Sequence, residues 1–344
     1  MLVAYAVSAV LLVLAMLTSA RTKLTRHERV YVRKPIPSGR QHTSGKRACA
    51  MSNQATQDMR GKTVVVTGAS AGIGAAAARQ FADLGATVAV VGRSAQKTAA
   101  VADAIGAEAH LVDYSRLDDV RRLADELLAR YPRIDVLANN AGGVFSGRNM
   151  SADGHEMTFQ VNHLAPFLLT NLLLDRLTKA PEGARVINTA SSAYRTGRLD
   201  LDDLDRALGR YSGSGAYAAT KLANIMFTRE LARRMQGTGV TTSAFHPGTV
   251  ASDIGREGGL KRLIFGSRLS KALLSTPAQG AEPLVRLATT LDTQTVNGQY
   301  FHRFKPEEPK NKQATDPHLA QQLWERSAQL TGVRTSSCSR RMTR

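Results

Sequence analysis

The sequence predicts a single three-layer α/β/α domain over residues 61–302, a doubly wound parallel sheet between two layers of helices. Three observations lead there. Short apolar or β-branched runs of four or five residues (Thr63–Val66, Val88–Val91, Ile134–Ala138, Thr241–Phe245) recur along the chain. They lack the alternation of a half-wet strand and so read as strands buried on both faces. Helical segments alternate with these runs, which is the pattern of parallel pairing. The turn after the first run, Gly68-Ala-Ser-Ala-Gly-Ile-Gly74, sets three glycines at a strand-to-helix junction.

That junction is where a nucleotide-binding turn belongs. A helix N-terminus offers free N–H groups and the positive end of its dipole to a pyrophosphate. Gly68 supplies the tight turn, Gly72 lets backbone approach phosphate, and Gly74 lets the helix pack close on the strand. The helix around Ala75–Leu84 ends at Gly85, and Val88–Val91 runs into Gly92-Arg93-Ser94. An acidic residue here would bind the adenosine ribose hydroxyls, whereas Arg93 suits a 2′-phosphate and so favours NADP. The other reading of Arg93 is a solvated arginine at a helix start. The third strand, Ala109–Asp113, ends in an acid that either caps the helix Leu117–Arg130 or faces an adenine amino group.

The fourth strand runs into Asn139-Asn140-Ala141-Gly142-Gly143, whose small residues suit close passage beside a bound cofactor. The asparagine side chains can pin neighbouring strands. Thr158–Leu177 is apolar and helical, and holds Asn162, His163 and Pro166. A buried asparagine within a helix is unfavourable unless something uses it, and Pro166 predicts a kink or a freed carbonyl. The fifth strand, Arg185–Ala190, ends in Ser191-Ser192. The acidic run Asp200–Asp205 lacks the glycine and glutamate of a calcium loop and reads as a solvated turn. Tyr217 and Lys221 lie four apart on a helix running to about Met235, on one helical face. The sixth strand leads into His246-Pro247-Gly248-Thr249. Residues 252–276 read as a mobile segment over the substrate. A helix begins at Thr276-Pro277, Gly298–Phe301 closes as the last strand, and a short amphipathic helix follows Asp316-Pro317.

The net charge is +18, but residues 21–50 hold nine Lys or Arg against one Glu, and residues 331–344 hold four Arg and no acid, leaving +6 for the rest. The globular part is only mildly basic, which argues against nucleic-acid binding. Cys49 and Cys338 both lie in flanking segments, so no disulfide framework or metal site is expected. Leu2–Ala20 is nineteen residues without a charge, long enough to cross a bilayer, and basic residues follow it. Residues 1–20 are thus either a membrane anchor holding the domain on the cytoplasmic side or an upstream extension absent from a cytoplasmic protein starting at Met51. Residues 21–60 read as a basic linker, 303–330 as an extension with a short helix, and 331–344 as a basic tail.

Thr67-Gly68-x3-Gly72-Ile73-Gly74, Asn139-Asn140-Ala141-Gly142, Asn162, Ser191-Ser192, Tyr217-x3-Lys221 and Pro247-Gly248 occur in one order. Together they closely resemble the short-chain dehydrogenase/reductase family over about residues 61–302. Gln160–Thr170, Lys221–Leu231, His246-Pro247-Gly248 and Leu323–Ser327 look like its retinol-dehydrogenase-like branch. The resemblance implies a Rossmann-type domain, sometimes paired as a homodimer or homotetramer. It implies an oxidoreductase that uses NADP(H) in preference to NAD(H) to interconvert an apolar alcohol and its aldehyde or ketone. A catalytically silent dinucleotide-binding regulator on the same fold is the alternative. Tyr217 would be the general acid–base, Lys221 its positive neighbour and the holder of the nicotinamide ribose, and Ser192 the donor to the substrate oxygen. Asn162 would anchor a water relaying protons to Lys221. The cofactor would lie on Gly68, Ser70, Gly72, Ile73, Gly74, Arg93, Asp113, Asn140, Ala141, Gly142, Tyr217, Lys221, Pro247, Gly248 and Thr249. No metal is implied.

Overall fold

The computed structural model describes residues 58–250 and 275–334. The expectations placed on residues 2–20, on Cys49 and Cys338, and on 252–274 lie outside these residues. Eight strands form one sheet: β1 (Thr63–Thr67), β2 (Thr87–Gly92), β3 (Glu108–Leu111), β4 (Val136–Asn139), β5 (Arg185–Thr189), β6 (Thr241–His246), β7 (Gln299–His302) and β8 (Lys305–Pro306). Their order is β3-β2-β1-β4-β5-β6-β7-β8. All pair in parallel except β7 with β8. The order reverses between β1 and β4, so a crevice opens there at the carboxyl ends of the strands.

Successive strand residues feed two separate cores, as a pleated strand buried on both faces requires. Val65, Leu137, Val186, Ala244 and Tyr300 face one. Into it pack α3 (Leu117–Arg130), α4, α5 (Gly213–Arg234) and α8 (Pro317–Thr331). Here α4 comprises Met157–Phe159, a π turn Gln160–Leu164 and Ala165–Leu177. Val64, Val66, Ala138, Ile187 and Phe245 face the other core with α1 (Gly72–Asp83), α2 (Ala95–Asp103) and α6 (Pro277–Thr289). The short α7 (Thr293–Val296) precedes β7. The three-layer doubly wound architecture is therefore as expected. Among the described residues no helix is long and apolar enough to cross a membrane.

Four local expectations change. Strand β7 is not the last, because Arg303, at φ 56°, turns the chain back into β8. The C-terminal helix is not short. It runs fifteen residues and buries Leu323 and Trp324. The Trp324 ring meets Phe167 at 4.9 Å and Phe227 at 5.6 Å between centroids, and apolar aromatic area of that kind outweighs the helix's polar sequence. Residues 200–205 are not simply a solvated turn. Leu204 is buried, and Asp205 Oδ1 accepts from the Glu156 amide at 2.9 Å. Fourth, β3 ends two residues before Asp113. Pro166 lies two residues past the π turn Gln160–Leu164, so the expected irregularity is present as a local widening of the helix.

Candidate active site

The site gathers at the carboxyl ends of β1, β2, β4, β5 and β6. At the end of β1, Gly68 has φ +65° and Gly72 φ +58°, conformations that favour glycine. A Cβ at Gly68 would lie 2.7 Å from Ala141 Cα, and one at Gly74 would strike Gly68 O and lie 2.6 Å from Asn140 Nδ2. At Gly72 the same position is open space. Two glycines therefore permit close packing, and the third presents bare backbone outward. Helix α1 starts here with Ala71 as its N-cap and no side-chain capping bond. Its first-turn N–H groups are left for a ligand or water.

The loop after β4 is bolted to this turn. Thr67 Oγ1 accepts from the amides of Asn140 (3.0 Å) and Ala141 (3.1 Å) and donates to Ala138 O (3.1 Å). Asn140 Nδ2 donates to Thr67 O at 3.0 Å. Asn139 Nδ2 donates to Asn188 Oδ1 at 3.0 Å and to Thr170 Oγ1 at 2.9 Å, joining β4, β5 and α4. The side chains of both asparagines are thus spent on the scaffold.

Asn162 lies fully buried in the π turn. Its Oδ1 accepts from Gly143 N at 2.8 Å, while Nδ2 donates to Gly143 O at 2.9 Å and to Thr220 Oγ1 at 3.1 Å. One carboxamide thereby ties the β4 loop to α5 beside Lys221. The π turn widens the helix at the residue that must reach sideways. The next residue, His163, is buried too. Ser327 Oγ spends its hydrogen on Leu323 O (2.7 Å), so His163 Nε2–H donates to Ser327 Oγ at 2.9 Å. Burial pushes this histidine down to about 4.

Tyr217 and Lys221 share one face of α5. Lys221 Nζ sits 5.5 Å from the Tyr217 ring centroid and donates to Thr189 O at 2.9 Å. A Cβ at Gly142 would lie 3.0 Å from Asn162 Oδ1 and 3.5 Å from Lys221 Nζ, so both groups converge beside this glycine and a side chain there would crowd the first. Burial pushes Lys221 down to about 8. Burial also raises the Tyr217 phenol, and a hydrogen bond with the Ser191 hydroxyl pulls it back.

The serine beside Tyr217 is Ser191. It N-caps a 3₁₀ turn, Ser192–Thr196, and its Oγ accepts from Ala193 N at 3.3 Å. Ser192 is the first residue inside that turn, one position beyond. The ladder offers a signal: Ala190 N still bonds across to Phe245 O at 2.8 Å, so Ser191 is the first residue free of the sheet.

The remaining cofactor candidates line the crevice more loosely. Arg93, just past β2, is exposed and has no hydrogen bond or ion pair to a described residue. Ser70 abuts Gly92, whose Cβ position would lie 3.0 Å from Ser70 Cβ, so the glycine turn and the Arg93 corner adjoin. Ile73 is buried in α1. Asp113 does not cap α3; its Oδ1 accepts from Ser115 N at 3.0 Å, and Asp153 Oδ2 takes the Leu117 amide at 2.8 Å instead. After β6, Pro247 is buried, Gly248 has φ +91° against the Arg303 side chain, and Thr249 O accepts from Ser275 N at 3.0 Å. Among the described residues no cluster of His, Cys, Asp or Glu could hold a metal.

Comparison with known proteins agrees with this fold. The family model for short chain dehydrogenase matches residues 62–262. Human "Retinol dehydrogenase 13" is 38% identical over 288 residues, covering 80% of this chain and 86% of that one. A protein of Streptomyces sp. (strain C5) with the provisional name daunorubicin C-13 ketoreductase DnrU is 42% identical over 278 residues, covering 79% and 93%. Among solved structures, a short chain dehydrogenase from Burkholderia cenocepacia J2315 in complex with NADP is similar at TM-score 0.56 and 25% identity, covering 72% of this chain and 97% of that one.

Proposed function

Because this chain belongs to the short-chain dehydrogenase/reductase family, in its retinol-dehydrogenase-like branch, we propose that it is an NADP(H)-dependent oxidoreductase that interconverts an apolar alcohol and its aldehyde or ketone. The observation that carries the reading is the convergence of the Ser191 hydroxyl, the Tyr217 phenol and the Lys221 ammonium at the end of β5.

Each group has one task. In the reductive direction Tyr217 donates its phenolic proton to the substrate oxygen as charge grows there. A phenol holds its proton at neutral pH, and burial raises it further, which suits an acid. Ser191 donates a hydrogen bond to the same oxygen and stabilises the developing charge. Lys221 places a positive charge beside the phenol and lowers the cost of the phenolate that remains. Asn162 keeps the β4 loop and α5 in register, so that Gly142 stays next to Lys221. In this reading Ser191, and not Ser192, is the donor to the substrate oxygen.

The residues present fit a dinucleotide. The uncapped start of α1 with Gly72 suits the pyrophosphate, Arg93 a 2′-phosphate, and Gly142 and Pro247-Gly248-Thr249 the nicotinamide end. When bound, the nicotinamide supplies or accepts the hydride. The Streptomyces relative's name speaks of a ketone substrate and the human one's of retinol, an alcohol, the two sides of the interconversion proposed here.

The test mixes the full chain with NADPH or NADH and a panel of retinal, aliphatic aldehydes, steroid ketones and quinones, following loss of reduced-cofactor absorbance. NADPH oxidation abolished by Tyr217→Phe, with the NADPH preference lost in Arg93→Glu, is expected. Tight cofactor binding with no turnover across the panel would overturn the enzymatic reading in favour of a dinucleotide sensor.

A further inference from the structure

The backbone that follows Ser191 is not held by its own neighbourhood. Asn311, 117 positions from Tyr194 in the chain, donates through Nδ2 to Tyr194 O at 3.0 Å and to Gly197 O at 2.8 Å. Tyr194 lies within the 3₁₀ turn that Ser191 caps, and Gly197 is its C-cap. Tyr194 O also accepts from the Gly197 amide at 3.0 Å, which closes the turn, whereas Gly197 O lies past the turn's own bonds. One amide nitrogen therefore adds a second donor to the first carbonyl and supplies one to the second. Further bonds run alongside. Gln313 Oε1 accepts from Leu199 N at 3.0 Å and its Nε2 donates to Leu199 O at 2.9 Å. The Lys310 amide donates to Tyr194 Oη at 3.1 Å, and Arg195 pairs with Glu307 at 2.9 Å. The segment after β8 thus binds the serine turn along its length. The other side of the turn rests on α5, where a Cβ at Gly197 would come within 3.1 Å of Leu222 Cβ.

We propose that Asn311 is a positioning residue for the reaction: by clamping the far end of the 3₁₀ turn it fixes the direction in which its N-cap, Ser191, presents its hydroxyl to Tyr217. The inference rests on the assignment of Ser191 and Tyr217 above. A turn of five residues with its N-cap at one end and two clamped carbonyls at the other transmits a tilt at Gly197 directly to Ser191. The catalytic hydroxyl is therefore set by residues that lie beyond the seven parallel strands.

Asn311→Asp isolates the clamp. Asn311 Oδ1 also accepts from Gln313 N at 3.0 Å, and a carboxylate keeps that acceptor while losing both donors. In the full chain, amide hydrogen exchange over residues 192–199 should quicken at least about tenfold in the variant, with α1 unchanged. With the panel aldehyde or ketone that the wild type reduces fastest, kcat should fall about 10- to 100-fold, since small misplacements of a reacting group cost that much. The dissociation constant for NADPH should stay the same. Asn311→Gln, which retains the donors on a longer stem, should recover part of kcat. Unchanged exchange over 192–199, or a quickened exchange with wild-type kcat, overturns the proposal. A loss that appears as weaker NADPH binding with kcat intact overturns it too. If Tyr217→Phe turns over like the wild type, the catalytic assignment itself has failed, and the substrate-free exchange measurement still reports on the clamp.

Discussion

Replacing Lys221 by methionine should make the unliganded protein more stable at pH 7 while destroying its activity. The stem of the side chain is kept and only the ammonium is lost. Lys221 is 3% exposed, and burial moves its ammonium from 10.5 to about 8, a difference worth about 3 kcal/mol against the charged form. The bond from Nζ to Thr189 O returns about 1.5 kcal/mol, the lower range for a charged donor. The methionine variant should therefore gain about 1–2 kcal/mol near neutrality. The sign depends on pH. Below pH 8 the lysine is charged in both states, and its burial cost is present in full. Between about 8 and 10.5 the unfolded chain binds a proton that the folded chain does not, so wild-type stability rises with pH. The advantage of the variant should shrink across that interval and reverse near its upper end, where only the lost bond remains. Urea unfolding followed by Trp324, the chain's single tryptophan, measures this directly. A variant less stable than wild type at pH 7, or a difference that stays constant from pH 7 to 10, would refute the view that Lys221 is a cation kept in place against the stability of the fold.

Three further outcomes follow from the site. Ser191→Ala should lower kcat by about 10²–10³ while Ser192→Ala changes it only a few-fold, and the opposite order in steady-state kinetics would return the role to Ser192. Gly74→Ala should destabilise by about 1–3 kcal/mol, despite alanine's better helix propensity, because its Cβ meets Asn140 Nδ2 at 2.6 Å; a rise in the urea midpoint would contradict the close packing. His163, moved from 6.5 to about 4 by burial, favours the fold above pH 6.5 and loses up to about 3 kcal/mol as pH falls to 4. His163→Leu should therefore flatten the fall of the urea midpoint between pH 7 and 4.5, leaving the limb from His246, which burial also holds at about 4.

Much of this was legible in the sequence for a simple reason. Strands buried on both faces advertise themselves as unbroken apolar runs, and Leu117–Arg130 carries so regular an apolar stripe that its bounds could be read directly. The glycine turn was legible because steric demands leave no substitute for glycine there. What escaped was whatever depends on contacts between distant segments. The proposed choice of Ser191 over Ser192 turns on which one first leaves the ladder with β6, and that depends on Phe245 across the sheet. Asn162 could be marked as useful, but its partners Gly143 and Thr220 lie 19 and 58 positions away, and no local spacing points to them. The C-terminal helix looked minor because its composition is polar. Trp324 and Leu323 are too few to form a strong pattern, yet they find an aromatic seat between α4 and α5.

The two margins of the sheet bear on how copies of this chain can meet. One margin is β3, four residues long, with Glu108 held by Arg130 on its flank. The other is β8, two residues long, one of them Pro306, which has no amide hydrogen to offer. Neither presents the long row of open backbone groups from which a foreign strand could grow. Cross-strand aggregation of the native state is thereby discouraged at both ends of the described sheet, where self-association has little ladder to extend.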